Sequence, residues 1–469
     1  MKKYRILKIS FVAIGLISIQ SCFVAKEYQR PEDVKTEAHY RTDVLVKDSE
    51  SIAKVSWREL FKDAQLQALI DKGLTNNLDI RNALENINVM QAYVKQGKAG
   101  YFPTLSVGPK YTFNQTSANT QFGALLGSQS LSQYELSGTV SWEADIWGKL
   151  KSTERGAQAN FLQSIAAHQA VKTQIISSIA NAYYQLLALD EQRKIAEETV
   201  TNRAQSLETT KALKEAGNVT QVAVNQTEAQ QLSAEALLID IDNNIKVLEN
   251  TISILIGESP KNIERSTLDQ QQITSDLSVG VPSELLENRP DVKAAEFGLA
   301  SAFQNVNVAN ASFYPSLTLT SATGGIQGID IDKLFDAHSL FASVAAGLTQ
   351  PIFNKRALRT QKEVAVAKQE QALIAYKQVI LTASKEVSDA LFAYDAANKK
   401  IDLKVKEASL YTQNVADSEE LLNYGMTNYL DVITARDNSL NADLSVANIK
   451  LAKLQALVEL YRSLGGGLQ

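Results

Sequence analysis

The chain has 469 residues, 45% of them hydrophobic and 21% charged, a composition that excludes collagen-like repeats and wholesale disorder. Its net charge of −5 becomes −9 once Lys2, Lys3, Arg5 and Lys8 leave with the first 21 residues, so the basic face that nucleic acid requires is missing and a nucleic-acid partner is excluded. Only eight prolines occur, and Lys110 to Ser259 and Ile352 to Gln469 contain none, which leaves two spans free to hold very long helices.

The start of the chain reads as an address. Basic residues precede the apolar run Ile9 to Ile19, and Ser21 stands immediately before Cys22, the only cysteine. Residues 1–21 are a signal peptide on this reading and 22–60 an N-terminal segment. A single cysteine makes no internal disulfide. Cys22 is either an incidental thiol in a membrane anchor or the lipid-modified first residue of a mature lipoprotein, whose lipobox the segment resembles, with Gln20 as a departure. The apolar run is too short for a bilayer core that needs about 20 residues.

No later segment is apolar for long enough to span a membrane as a helix, so a spanning part must be a β-barrel. Leu105, Val107, Tyr111 and Phe113 alternate with Ser106, Gly108, Lys110 and Thr112, and Tyr134 to Trp147 alternates similarly. The latter places Glu135, Glu143 and Asp145 on the polar side, where a solvated lumen accounts for them better than acid–base catalysis. Gln115 to Gln133 connects the two strands, giving a hairpin over 103–147. A second hairpin over 315–352 joins Leu317 and Leu319 through a Gly-rich loop from Gly324 to a return strand at Leu340 to Leu348. A hairpin on a soluble sheet fits the alternation equally well; the aromatic residues at the strand ends, Tyr101, Phe102, Trp142, Trp147, Phe313, Tyr314 and Phe353, favour membrane interfaces.

Lys149 to Ala216, helical throughout, would reach about 100 Å, and Gly217 stops it. In the returning helix Leu238, Ile241, Ile245, Leu248, Ile252 and Leu255 are spaced as a coiled-coil seam, and Leu444, Ala447, Leu451, Leu454, Val458 and Tyr461 repeat that spacing. An ordinary buried helix face gives the same pattern. Gly217 and Gly425 lie 208 residues apart, and at that offset Val224 meets Val432, Leu232 meets Leu440 and Ile241 meets Ile449. Tyr101-Phe102-Pro103 likewise answers Phe313-Tyr314-Pro315, and Ile146-Trp147-Gly148-Lys149 answers Ile352-Phe353-Asn354-Lys355. The chain is therefore internally duplicated: a first repeat at 61–260, a linker at 261–282, a second repeat at 283–465 and a tail at 466–469.

Three dispersed histidines, His39, His168 and His338, form no ligand set, so neither a metal nor another cofactor is expected. Without a phosphate loop, a nucleophile triad or zinc spacing, the chain is not expected to be an enzyme.

Cys22, Tyr28-Gln29-Arg30-Pro31, Trp57-Arg58-Glu59-Leu60-Phe61, Asn77-Leu78-Asp79-Ile80 and, most specifically, Val281 to Val292 with Arg289-Pro290-Asp291 carry a resemblance to the outer-membrane efflux (TolC-like) family, in its lipoprotein branch serving resistance-nodulation-division pumps. The resemblance implies a mixed α/β membrane protein in which three chains, four strands each, form a twelve-stranded β-barrel continued by a long antiparallel α-helical coiled-coil barrel. It implies a homotrimer in the outer membrane, lipid-anchored at Cys22, with the helices in the periplasm. The partners implied are outer-membrane lipid, a periplasmic adaptor and an inner-membrane pump, with this chain as the passive exit duct of a tripartite efflux system. An outer-membrane component of an ATP-driven (type I) protein secretion system and a periplasmic coiled-coil scaffold are the other readings. The family's tips close the tunnel. Here Tyr424, Gly425, Leu430 and Asp431 match the family motif, so a ring of Asp431 carboxylates beside a Leu430 constriction would form the gate. Asp431 is also suited to a helix N-terminus, and the same residue can serve both roles. Thr434, Thr427 and Ala223 stand where family members often carry charges, which shifts closure toward Leu430.

Overall fold

The computed structural model describes residues 25–31, 55–126, 129–271 and 288–467. Cys22, the signal peptide, His39 and the Val281 to Glu287 part of the junction motif lie outside the described residues. The elements are α1 (Trp57–Leu60), α2 (Ala64–Asn76), α3 (Leu78–Ala99), β1 (Thr104–Gln115), α4 (Gln121–Leu126), β2 (Ser130–Ala144), α5 (Lys149–Glu215), α6 (Gln221–Leu255), α7 (Pro290–Ala311), β3 (Ser316–Gly328), β4 (Leu340–Thr349), α8 (Ala357–Asn423) and α9 (Tyr429–Ser463).

The duplication is visible in element lengths. α3 and α7 have 22 residues each, α5 and α8 have 67, and α6 and α9 have 35. The chain forms two compact units, and each repeat contributes to both.

One unit comprises the N-terminal segment to Pro31, Asn88–Gln163 and Ala295–Ala375. Its centre is an antiparallel sheet in the order β1-β2-β3-β4. Leu105 faces Val140, Lys110 faces Glu135 and Leu136 faces Ile326. A bulge opposite Val140 and Trp142 recurs between Leu319 and Ser321 in the β3–β4 pairing. One side of the sheet is an apolar surface: Leu105, Val107, Val344 and Leu348 are all exposed in the single chain. Such a surface suits a hydrocarbon neighbour rather than water.

Two details differ from the sequence expectation. The segment from Gly324 to Gly328 belongs to β3 rather than to the loop. A Cβ on Gly325 would sit 2.1 Å from the Leu136 carbonyl oxygen, so glycine serves close backbone approach there, not a turn. The connection between β1 and β2 carries the short helix α4.

The other unit comprises Glu32–Ile87, Ser164–Ala294 and Tyr376–Gln469. Its core holds Phe61, Leu66, Ile70, Ile176, Ile179, Tyr183, Leu186, Ile252 and Tyr376. Phe61 meets Tyr184 and Tyr461 edge-on, with ring centroids 6.4 and 6.1 Å apart. The predicted seams supply much of the buried surface: Ile241, Ile245 and Ile252 on α6, and Ala447, Leu454, Val458 and Tyr461 on α9, are all buried. Among the described residues no helix is long and apolar enough to cross a membrane.

Candidate functional site at the helix tips and strand ends

Both long helix pairs turn in the same way. The Gly217 N–H donates to the Lys214 carbonyl (2.9 Å) and Asn218 to Leu213 (2.8 Å); Gly425 donates to Leu422 (3.0 Å) and Met426 to Leu421 (2.9 Å). These paired bonds satisfy carbonyls left over at a helix end and require a left-handed residue, which Gly217 (φ 78°) and Gly425 (φ 69°) supply. Thr220 caps α6 and Asn428 caps α9.

The Asn428 cap sets the start of α9, so Leu430 and Asp431 lie in its first turn rather than in the connecting loop. Asn428 Oδ1 accepts from the N–H groups of Leu430 (2.9 Å) and Asp431 (3.1 Å), while Asp431 Oδ2 accepts in return from the Asn428 N–H (3.4 Å) and the Thr427 hydroxyl. Asp431 is thus one half of a capping box. Leu430 is 54% exposed in the single chain and available to line a constriction. Thr434 bonds back to the Leu430 carbonyl at 2.9 Å.

Behind the tips runs a polar network that the sequence did not reveal. Arg203 on α5, almost fully buried, pairs with Asp437 on α9, which also accepts from Gln230 on α6 at 3.1 Å. Arg436 pairs with Glu419 on α8 (2.6 Å) and with the Ser206 hydroxyl on α5. The Tyr429 hydroxyl lies 2.8 Å from Thr210 Oγ1 and 3.2 Å from Thr227 Oγ1. Apart from Arg436–Glu419, which joins α8 to α9 within repeat 2, these bonds join helices of both repeats across more than 200 positions of sequence, and polar residues on a helix surface carry no local mark of such partners.

At the strand ends, the Trp142 indole donates to the Tyr101 carbonyl (2.8 Å), and Gln350, 208 positions later, donates to the Phe313 carbonyl (2.9 Å). Trp147 stacks on Tyr314, ring centroids 4.8 Å apart, and donates to the Pro315 carbonyl at 2.7 Å. Of the three acids expected on one strand face, Glu135 accepts from Ser137 (2.6 Å) and Glu143 pairs with Lys149 (3.0 Å). Asp145 lies beyond the end of β2 and accepts from the N–H groups of Leu150 (3.0 Å) and Lys151 (2.8 Å). It is a cap for α5, because a carboxylate there satisfies N–H groups that a helix start leaves unpaired.

The segment that follows Cys22 is held against this unit. Ala25 is buried beside Gly148, Glu27 pairs with Arg155 (2.8 Å), and Arg30 meets Glu296 with two bonds of 2.8 and 2.7 Å. Asn307 donates to the Lys26 carbonyl at 2.9 Å, and Tyr28 sits edge-on to Phe303. Among the described residues no cluster could hold a metal ion. His168 is held below its usual pKa by burial and by Lys172.

A family model described as outer membrane efflux protein matches residues 69–258 and again 281–466. The chain belongs to the outer membrane efflux protein family. It is 27% identical over 456 residues to the cation efflux system protein CusC of Escherichia coli O6:H1, covering 97% of each chain. It is 26% identical to the probable outer membrane lipoprotein SilC of Salmonella typhimurium, covering all of this chain and 99% of that one. Among solved structures, the open state of the Neisseria gonorrhoeae MtrE outer membrane channel superposes with a TM-score of 0.82 at 25% identity, covering 96% of this chain and 99% of that one. The fold is TolC-like, and the protein is an outer-membrane channel of a tripartite efflux pump.

Proposed function

We propose that the protein works as a homotrimer: a passive exit duct that takes substrate from an inner-membrane resistance-nodulation-division pump through a periplasmic adaptor. The sheet carries this reading. Four strands with an apolar outer surface leave β1 and β4 without an outer neighbour, and open edges are not tolerated in hydrocarbon. Three copies supply twelve strands and remove every edge. The chain carries no enzymatic function on this reading, and no cofactor beyond the lipid on Cys22.

Cys22 is the lipidated N-terminus of the mature chain. The contacts of residues 25–31 support this, because they hold the chain three residues after Cys22 beside the Gly148 turn, where β2 gives way to α5. Phe23 follows Cys22 in place of the aspartate that would resemble an inner-membrane retention signal. Cys22→Ser should impair maturation and sorting, and mass spectrometry of the mature protein should find the acyl chains.

At the periplasmic tips, three copies of Asp431 form a cation-attracting ring next to a Leu430 constriction. The capping-box geometry is compatible with this, since Asp431 uses one carboxylate oxygen for its cap. In planar bilayers the purified protein should conduct, Leu430→Ala should raise resting conductance, and Asp431→Ala should lower cation selectivity. An absence of any conductance would favour the scaffold reading. Copurification with an ATP-driven transporter instead of an adaptor and pump would favour protein secretion.

A further inference from the structure

The two repeats leave one helix face in different states. α5 and α8 begin and end 208 positions apart, so they correspond residue for residue. Ala157, which lies beside Gly97 of α3, answers the buried Ala365, and Arg155 answers Glu363. Arg155 pairs with Glu27 of the segment that follows Cys22, a segment that also meets Phe303 and Glu296 of α7. Leading from the lipid anchor, this segment marks the outer side of the unit. On α8 the matching face is exposed among the described residues. It opens as a cavity of about 570 Å³ lined by Phe313, Arg359, Lys362, Glu363, Val366 and Glu370, a volume in the range of small-ligand sites.

Both signs of charge meet apolar surface in this cavity. Lys362 Nζ lies 5.8 Å from the centroid of the Phe313 ring, which sets the cations at the height of the aromatic strand ends, where a membrane interface is favoured. Glu363 accepts two bonds from Arg356, of 2.9 and 3.1 Å. Arg356 (φ 68°) takes the place of Gly148 (φ 75°), so repeat 2 holds a cation in a backbone conformation that repeat 1 gives to glycine. Arg359 and Glu370 have no hydrogen-bond or ion-pair partner among the described residues. A ligand that carries a phosphate and a primary ammonium satisfies both. A purely anionic headgroup would oppose Glu370, and a trimethylated ammonium has no N–H to donate to it.

We infer that the cavity holds the headgroup of a phosphatidylethanolamine from the periplasmic leaflet of the outer membrane, with its phosphate at Arg359 and Lys362 and its ammonium at Glu370. The Phe313 ring and Val366 then lie against the glycerol end, and the acyl chains run up the apolar side of the sheet. The inference rests on the outer-membrane channel anchored at Cys22 and adds to it a specific lipid site on α8.

Native mass spectrometry of the purified protein in mild detergent, titrated separately with phosphatidylethanolamine, phosphatidylcholine and phosphatidylglycerol, tests the site. The wild-type protein should retain one ethanolamine lipid per chain, in preference to the other two. Arg359→Gln/Lys362→Gln should weaken that retention by about tenfold or more, and Glu370→Gln should remove the preference for ethanolamine over choline. Both variants should keep assembly and conductance, since neither alters the tips. Equal retention by the wild type and the Arg359→Gln/Lys362→Gln variant overturns the site, and equal retention of all three lipids by the wild type overturns the headgroup assignment. Soluble glycerophosphoethanolamine bound as tightly as the lipid would assign the cavity to a free phosphodiester and overturn the lipid. A monomer that still retains one ethanolamine lipid per chain supports the site while overturning the trimer, and the intact mass of the denatured chain reads the anchor at Cys22 separately.

Discussion

Asn77 and Arg289 hold the same place in the two repeats. Asn77 Nδ2 donates to the Leu255 carbonyl at 2.9 Å, and Arg289 Nη1 donates to the Ser463 carbonyl at 2.8 Å; Leu255 and Ser463 are the last residues of α6 and α9. Each side chain satisfies a carbonyl at a helix end, and each precedes the short helix that leads into its own repeat's hairpin. The amide of Asn77 also caps α3 through Asp79 and Ile80, while the guanidinium of Arg289 pairs with Asp291 and with Glu386 on α8. One position has thus become a neutral cap in repeat 1 and a buried ion network in repeat 2.

Arg289→Ala should be among the most destabilising substitutions, because it removes a nearly fully buried guanidinium and leaves the half-buried Asp291 and Glu386 carboxylates and the Ser463 carbonyl without their donor. Arg289→Lys should recover only part of this, since an ammonium cannot reproduce the two-pronged bond to Asp291. Asn77→Ala should cost less, about 1 to 3 kcal/mol. Denaturant melts of the detergent-solubilised protein check the order.

Glycines with the same backbone conformation should differ sharply. Gly217 and Gly425 have no atom within 4 Å of an added Cβ, so alanine there should cost only the left-handed strain of about 1 to 2 kcal/mol. Gly257 would place a Cβ 2.5 Å from the Asn76 carbonyl oxygen, and Gly465 one 2.7 Å from the Asn288 backbone. Gly257→Ala and Gly465→Ala should therefore reduce folded yield severely, while the tip variants retain it, as measured by thermal melting and outer-membrane abundance.

Asp63 sets an acid limit. Its burial opposes ionisation, but hydrogen bonds from Ser266, Gln271 and Tyr183 outweigh this and hold its carboxyl below the usual value. The same site, chiefly through burial, pushes Tyr183 up to about 12. A carboxylate whose folded pKa is depressed contributes stability above its unfolded value and loses it as pH falls through the folded one. Melting temperature should therefore drop as pH is lowered below about 4, and Asp63→Asn should be less stable at pH 7 with a flatter acid dependence.

On the sheet, facing decides tolerance. Val140 lies opposite Leu105 and Ala322, whereas Thr139 lies 3.2 Å from the Thr323 hydroxyl on the polar side. Val140→Arg should cost about 2 to 4 kcal/mol near the bilayer midplane, and Thr139→Arg should be accepted. Equal effects on heat-modifiable mobility in gels would contradict the assignment.

Periodicity and punctuation determined much of this protein before any folding was seen. Alternating polarity gave four strands, proline-free spans bounded by Gly217 and Gly425 gave the long helix pairs, and the 208-residue offset gave the repeat. Those signals are local or self-similar, so they survive in a single sequence. Tertiary structure decided what depends on partners distant in sequence. It extended β3 through Gly324 to Gly328, because close approach to β2 and a loop call for the same residue. It moved Asp145 from a strand face to a helix start, since alternation does not show where a strand ends. It also joined Arg203 to Asp437 and Arg436 to Ser206 behind the tips, pairings that polar residues on long helices acquire only when the helices pack side by side.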